Sequence, residues 1–217
     1  YGYDMCVEIY SNSSEGLTVE QQPHSWSDGM CSYCKLVCVH AWNYDETGIT
    51  CSNCGRYEMV DIAIKPADGS VFEKNEYDYD NNTKTHIINT TKKVAISGES
   101  TTETVIVAKD VSANIIFNGV KIDASKISKA PFMIADGSSG SVTITIADDS
   151  INTLIGGKNC AGLMKNGTRG TLTIRGEDNN TGSLTATGGK NGAGIGGGNL
   201  ANGNNITISG GIVTARG

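Results

Sequence analysis

Gly188-Gly189-Lys190-Asn191-Gly192-Ala193-Gly194-Ile195-Gly196-Gly197-Gly198 has an earlier counterpart in Gly156-Gly157-Lys158-Asn159-Cys160-Ala161-Gly162-Leu163, 32 positions upstream. After a slip of two residues the likeness resumes, Thr171-Leu172-Thr173-Ile174 against Asn205-Ile206-Thr207-Ile208. A period near thirty, made of short β-type runs and glycine corners, is the signature of a solenoid. The segment from Gly192 to Gly197 also satisfies the G-x-G-x-x-G pattern of dinucleotide folds. There a helix must follow to hold the phosphates. Here Asn202-Gly203-Asn204-Asn205 and another β-type run follow, which excludes that use.

Outward from this stretch, apolar runs recur in threes. One set is His86–Ile88, Val94–Ile96 and Thr104–Val107; the next is Ile115–Phe117, Val120–Ile122 and Phe132–Ile134. A third is Val142–Ile146, Ile151–Ile155 and Ala161–Met164; a fourth is Leu172–Ile174, Leu184–Ala186 and Ala193–Ile195. A fifth opens with Ile206–Ile208 and Val213–Ala215. The pattern predicts an all-β chain whose residues 84–217 form a right-handed parallel β-helix, three strands per coil, with coils about 4.8 Å apart. Alternation along a strand points Val142, Ile144, Ile146, Leu172, Ile174, Ile206 and Ile208 inward, with Ile115 and Phe117 in the same column. It points Thr143, Thr145, Thr171, Thr173 and Thr207 outward. Leu184 and Ala186 are expected beneath Val213 and Ala215, and Ile195 beside Leu163. Gly192, Gly194, Gly196 and Gly197 are expected to turn the chain through positive φ.

Four features of this body bear on chemistry. Asp148-Asp149 and Glu177-Asp178 fall between corresponding strands of adjacent coils, where crowded carboxylates repel and Ca²⁺ would relieve them. Arg175 beside them keeps open a calcium-dependent polysaccharide lyase, although no aromatic or Lys/Arg-lined groove is apparent in the sequence. The outward threonines offer a flat ligand- or ice-binding ladder, broken at Ile116 and Asn118. Cys160, in the place of Gly192, reads as a buried, inert thiol without a His partner.

Residues 1–60 are a different material. Six of the seven Cys precede residue 55, and every Tyr and Trp precedes residue 80. A unit repeats: His24-Ser25-Trp26 then Cys31-Ser32-Tyr33-Cys34, and His40-Ala41-Trp42 then Cys51-Ser52-Asn53-Cys54. Two thiolates on a tight turn reach one ion, and a structural zinc takes four Cys or His ligands. One site is expected from Cys38, His40, Cys51 and Cys54. The other is expected from His24, Cys31 and Cys34, with Cys6 as a distant fourth. A cross-braced pairing of the two Cys-x-x-Cys turns stays open, as do a single zinc and disulfides, the usual state of secreted thiols. A closed site is structural and would stand in for the core so small a head lacks. Trp26 and Trp42 are expected to pack over the metal loops.

Residues 61–83 join the two parts. Met59–Lys65 alternates as a strand, and the polar stretch after Pro66 reads as a cap over the open solenoid end. Its alternative is a binding loop over 72–82, with Tyr77 and Tyr79, and with Tyr44 and Tyr57 in the head, as rigid amphipathic contacts.

The net charge of −6 argues against nucleic acid as partner. No apolar run of about 18 residues is present to insert in a membrane. A chain that begins at Tyr1 without a leader and stops inside its repeat is expected to be part of a longer protein.

The Cys-x-His-x-Trp…Cys-x-x-Cys-Gly unit, here Cys38 to Gly55, resembles small repeats in large secreted proteins of Gram-positive gut anaerobes. The stretch Gly-Ala-Gly-Ile-Gly-Gly-Gly…Ile-Thr-Ile-Ser-Gly-Gly, from Gly192 to Gly211, resembles glycine-rich parallel β-helix segments of the same kind of protein. The resemblance implies an extracellular or wall-attached adhesin that binds a host protein or a glycan. Some such proteins bind immunoglobulin as superantigens. A binding protein, rather than an enzyme or a bare structural stalk, is the expectation for this chain.

Overall fold

The computed structural model describes the strands Met5–Asn12, Gly16–Pro23, Trp26–Ser27, Met30–Cys31 and Trp42–Tyr44, then residues 48–53 and 55–217. The described residues contain no helix; the chain is all-β. Its body is a solenoid-like stack of parallel strands, and the sequence period becomes the spacing between layers.

Three stacks run through the body. In the first, Lys93–Ser100, Asn114–Asp123, Ser141–Ile146, Thr171–Gly176 and Ile206–Ile208 pair in parallel. In the second, the latter halves of Lys93–Ser100 and Asn114–Asp123 are followed by Ile151–Ile155, Ser183–Thr187 and Ile212–Arg216. The third holds Thr85–Ile88, Thr104–Val107, Phe132–Ile134, Leu163–Lys165 and Ile195–Gly196.

The long strand Asn114–Asp123 serves two stacks because its alternation slips once. Ile115 and Phe117 are buried, then Val120 and Ile122, with Gly119 at φ +80° between them. A side chain at that φ would be strained, so glycine makes the corner. Inside, like sits on like: Ile115 over Ile144 over Ile174, Val142 over Leu172 over Ile206, Leu184 over Val213, Leu163 over Ile195. Phe117 meets Phe132 edge-on at 5.3 Å, joining the first stack to the third.

The structure corrects or refines the sequence grouping at four points. His86–Ile88 does not open the first coil; Thr85–Ile88 lies in the third stack, directly under Thr104–Val107. The expected grouping failed because the second-stack segment of the first full layer, Gly98-Glu99-Ser100, has no apolar residue. Thr145 keeps the outward phase but is covered rather than displayed, since Arg175 of the next layer donates from Nε to its hydroxyl at 3.1 Å. Ile206 and Ile208 keep the inward column over Leu172 and Ile174, although with no layer above them Ile206 is half-buried and Ile208 exposed. The glycine run works mainly by close approach: of its four corner glycines only Gly196 has positive φ. A Cβ on Gly192 would stand 2.0 Å from the Cys160 carbonyl oxygen. The left-handed turns fall instead on Asn159 (φ 68°) and Asn191 (φ 66°).

Two antiparallel strands close the first end. Ile62–Pro66 pairs with Lys93–Ser100, and Tyr77–Asp80 pairs with Thr85–Ile88. They reverse direction against the stack, so the repeat does not continue on that side. In the head, Met5–Asn12 and Gly16–Pro23 form a hairpin, and Trp42–Tyr44, Ile49–Cys51 and Tyr57–Glu58 form a small antiparallel sheet. Trp42, Ile49 and Cys51 join the same apolar cluster as the body, so the core is continuous across the 60/61 boundary.

Replacing Gly192 by Ala should force apart two layers that meet backbone to backbone. We expect a loss of about 2 kcal/mol, read from denaturant unfolding, while Cys160→Gly at the equivalent corner costs less than half as much.

Candidate functional site

The cap carries a polar network that the sequence did not announce. The Tyr77 hydroxyl lies 2.6 Å from His86 Nδ1, and His86 Nε2 lies 2.9 Å from Glu103 Oε2. Glu103 Oε1 accepts from the Tyr79 hydroxyl at 3.1 Å. Its Oε2 also accepts from the N–H groups of Asp61 (3.0 Å) and Ile62 (2.9 Å). Ser100 accepts from the Glu103 N–H and donates to Asp61. One carboxylate thus ties the first cap strand, the second cap strand and the first body layer together. His86 is fully buried and Glu103 is 3% exposed. Among the described residues no buried side-chain polar atom lacks a partner, as low-dielectric burial demands.

Burial works to raise the Glu103 carboxyl, but the His86 hydrogen bond and charge and the two N–H groups outweigh it, so its pKa falls below the ordinary value. Burial raises the Tyr79 phenol, and the neighbouring Glu103 charge adds to it. Tyr–His–Glu order is that of a nucleophile, a base and an orienting acid. Here the imidazole is sealed from solvent and the phenol points inward, so no substrate reaches the pair.

Beside the network, where the head meets the cap, lies a cavity of about 200 Å³. Its walls are Trp42 and Ile49 from the head and Pro66, Phe72 and Tyr77 from the cap, with Lys65 and the exposed Gly69-Ser70-Val71 turn among the lining residues. Phe72 and Tyr77 stack at 5.0 Å. Trp42 Nε1 donates to Asp78 Oδ1 at 3.0 Å, pinning the indole across the seam. Tyr77 therefore has two roles: its ring walls the cavity, and its hydroxyl feeds the His86–Glu103 pair.

The residues singled out in the sequence meet different fates. Tyr77 and Tyr79 are not displayed on a loop; they are 1% and 5% exposed, because alternation in the strand Tyr77–Asp80 turns both into the core. Stretch 72–82 is a cap in this sense, and the contact surface expected of its tyrosines is absent. Tyr57 is exposed, and Tyr44 ends a strand of the head sheet.

Asp148 and Glu177 do come together across adjacent layers. Their oxygens are engaged by the chain itself: Glu177 Oε2 accepts from the Asp148 N–H at 3.0 Å, and Asp148 accepts from the Asn179 N–H (2.9 Å) and side chain (2.8 Å) and from the Thr181 N–H (3.3 Å). Asp149 donates its own N–H to Thr181, and Asp178 is exposed. Among the described residues no three His, Cys, Asp or Glu side chains are close enough to share a metal. Cys160 lies half-buried with its thiol 3.7 Å from the Ser128 carbonyl oxygen, and burial raises its pKa.

Of the zinc-type positions, Cys51 is buried at the end of Ile49–Cys51, and Cys6 and Cys31 lie in strands of the head. His24, Cys34, Cys38, His40 and Cys54 are outside the described residues. One regularity is plain: Trp26 pairs with Cys31, and Trp42 pairs with Cys51, so both units share one hairpin register. After Cys51 the chain turns sharply, the Gly55 N–H donating to the Cys51 carbonyl at 2.8 Å with φ +71° at Gly55.

No family model, no curated protein and no solved structure matches this chain.

The Glu103 shift predicts the acid limb of stability. Its folded pKa lies below the unfolded value of 4.5. Its contribution is therefore complete above that value and is lost as pH falls through the folded pKa. Tyr79, raised from 10.0, gives the opposite limb: stability declines as pH climbs above that value. Denaturant unfolding across pH should show Glu103→Ala costing about 3 kcal/mol at neutral pH and flattening the acid limb. An unchanged limb in the variant would separate acid lability from this network.

Proposed function

We propose that the chain is a secreted or wall-attached bacterial binding protein of adhesin type, recognising a host protein or glycan through the seam between head and cap. The observation that carries the reading is the aromatic cavity of about 200 Å³ bounded by Trp42, Phe72 and Tyr77. It is somewhat larger than the apolar cavity of about 150 Å³ known to take benzene. One ring or branched apolar group of a partner fits, with the Gly69-Ser70-Val71 turn at its rim. Immunoglobulin is among the host proteins the sequence resemblance implies. The His86–Glu103 pair beneath the cap is sealed from solvent, which favours binding over catalysis.

The body in this reading is a right-handed parallel β-helix of three strands per coil. Parallel crossovers take the right hand almost without exception, and the three stacks supply the strand count. The head is a zinc-stapled module. Cys38, His40, Cys51 and Cys54 would hold one ion, and His24, Cys31, Cys34 and Cys6 the second. The shared Trp–Cys register of the two hairpins supports one ion per unit. Zinc supplies cohesion there, and a closed site leaves no position for substrate.

Two measurements test this. Immobilised chain screened against host serum proteins, immunoglobulin included, and against mucosal glycans should retain at least one. Ser70→Trp, which plugs the rim from an exposed position, should weaken that capture at least tenfold without changing the melting temperature. No retention anywhere, or a Ser70→Trp chain that binds equally well, defeats the proposal. Elemental analysis should give two zinc per chain, falling to one in Cys51→Ser; a value of zero in freshly purified protein removes the metal.

A further inference from the structure

Three corners of the solenoid, residues 124–131, 156–162 and 188–194, lie one above another. The Gly157 N–H donates to the Lys129 carbonyl at 2.8 Å, and the Gly189 N–H to the Cys160 carbonyl at 3.0 Å. Each corner has one left-handed residue: Ser128 (φ 50°), Asn159 (φ 68°) and Asn191 (φ 66°). These landmarks put Lys158 and Lys190 at the same position in successive layers. They place Lys126 and Lys129 to either side of that position in the layer before. Arg216 ends the neighbouring strand, its carbonyl accepting from the Gly188 N–H at 2.8 Å.

The three corners contain no Asp or Glu. Lys126, Lys158, Lys190 and Arg216 are exposed, and Lys129 is half-exposed with its ammonium on the neutral Thr83 carbonyl. None of the five is in an ion pair among the described residues. Asp123, just before the first corner, has one oxygen on the Ser125 N–H. A chain of net charge −6 thus carries a basic ridge parallel to its axis. Lys158 and Lys190 leave the backbone one layer apart, about 4.8 Å, and their like charges add to one positive potential along the ridge. Asp123 acts on Lys126 and Asp80 on Lys129 through charge, whereas Lys158, Lys190 and Arg216 have no carboxylate paired with them among the described residues.

We infer that this ridge binds an anionic linear glycan, one bearing carboxylate or sulfate groups along its length. Charge complementarity selects a polyanion extended along the axis. The exposed Asn159 and Asn191 carboxamides, themselves linked at 3.1 Å, keep further donors and acceptors for sugar hydroxyls. The corners carry no aromatic ring, the platform on which single-stranded nucleic acid stacks. The inference is independent of the seam pocket, and Ser70→Trp leaves it untouched.

The experiment is titration of the full chain with heparin and with polygalacturonate, and in parallel with dextran, an oligo-dT strand and phosphatidylserine vesicles. One of the two anionic glycans should bind, more weakly as salt rises, and the other probes should not. Lys158→Glu with Lys190→Glu should lower that affinity at least tenfold and flatten its salt dependence. Lys74→Glu with Lys109→Glu, an equal change of charge at other exposed positions, should lower it less than twofold. Unchanged melting temperatures would show that both double variants fold. Failure of both glycans to bind, equal losses in the two double variants, or equal binding of oligo-dT or vesicles overturns the inference.

Discussion

Each layer of the body hydrogen-bonds to the next through parallel backbone, and most other features follow from that ladder. Parallel pairing leaves no freedom in register: a residue is fixed above its partner about thirty positions earlier. Inward columns therefore have to be apolar in every layer, as Ile115, Ile144 and Ile174 are. Where corners descend onto one another the ladder brings main chain against main chain. Gly189 and Gly192 sit there because even a methyl group would enter a carbonyl of the layer below. Glycine abundance is thus a packing requirement imposed by stacking, more than a demand for unusual dihedral angles.

A parallel ladder also creates an open edge, which invites another strand. This protein ends it by reversal. Ile62–Pro66 and Tyr77–Asp80 run antiparallel, and their attachment is concentrated on the Glu103 carboxylate. A charge so deeply buried is tolerable only with several donors in place, and His86, Tyr79 and two N–H groups supply them. The cap is thereby specific in register: sliding either strand by one residue would strip donors from a buried anion. The same strands wall the seam cavity, so the polar network and the cavity share Tyr77.

Much of this was legible in the sequence, and the reasons for the rest are physical. The strands from Ile115 onward, the inward columns and the pairing of Leu163 with Ile195 follow from alternation and period. The first layer escaped because its segment in the second stack, Gly98-Glu99-Ser100, carries no apolar side chain to mark it. The buried tyrosines escaped because an acidic, aromatic stretch reads as surface, while alternation hid Tyr77 and Tyr79 behind Asp78 and Asp80. His86 and Glu103 are 17 residues apart with no motif linking them. The available signal was the inward phase of His86 in an otherwise apolar strand, which requires a buried partner.

The basic ridge shows a more general blindness. In sequence Lys158 and Lys190 are isolated cations 32 residues apart within glycine-rich runs, and the chain as a whole is acidic. Net charge and local clustering both score such a chain as poor in basic surface. A solenoid converts its period into adjacency, so a residue repeated once per turn becomes a row, at a density no window of sequence contains. Surface function in this architecture is therefore read one column at a time, by following a single position through the layers. By that measure the column of Lys158 and Lys190, opposed by no carboxylate of its own, is the place where the fold leaves charge for something else to meet.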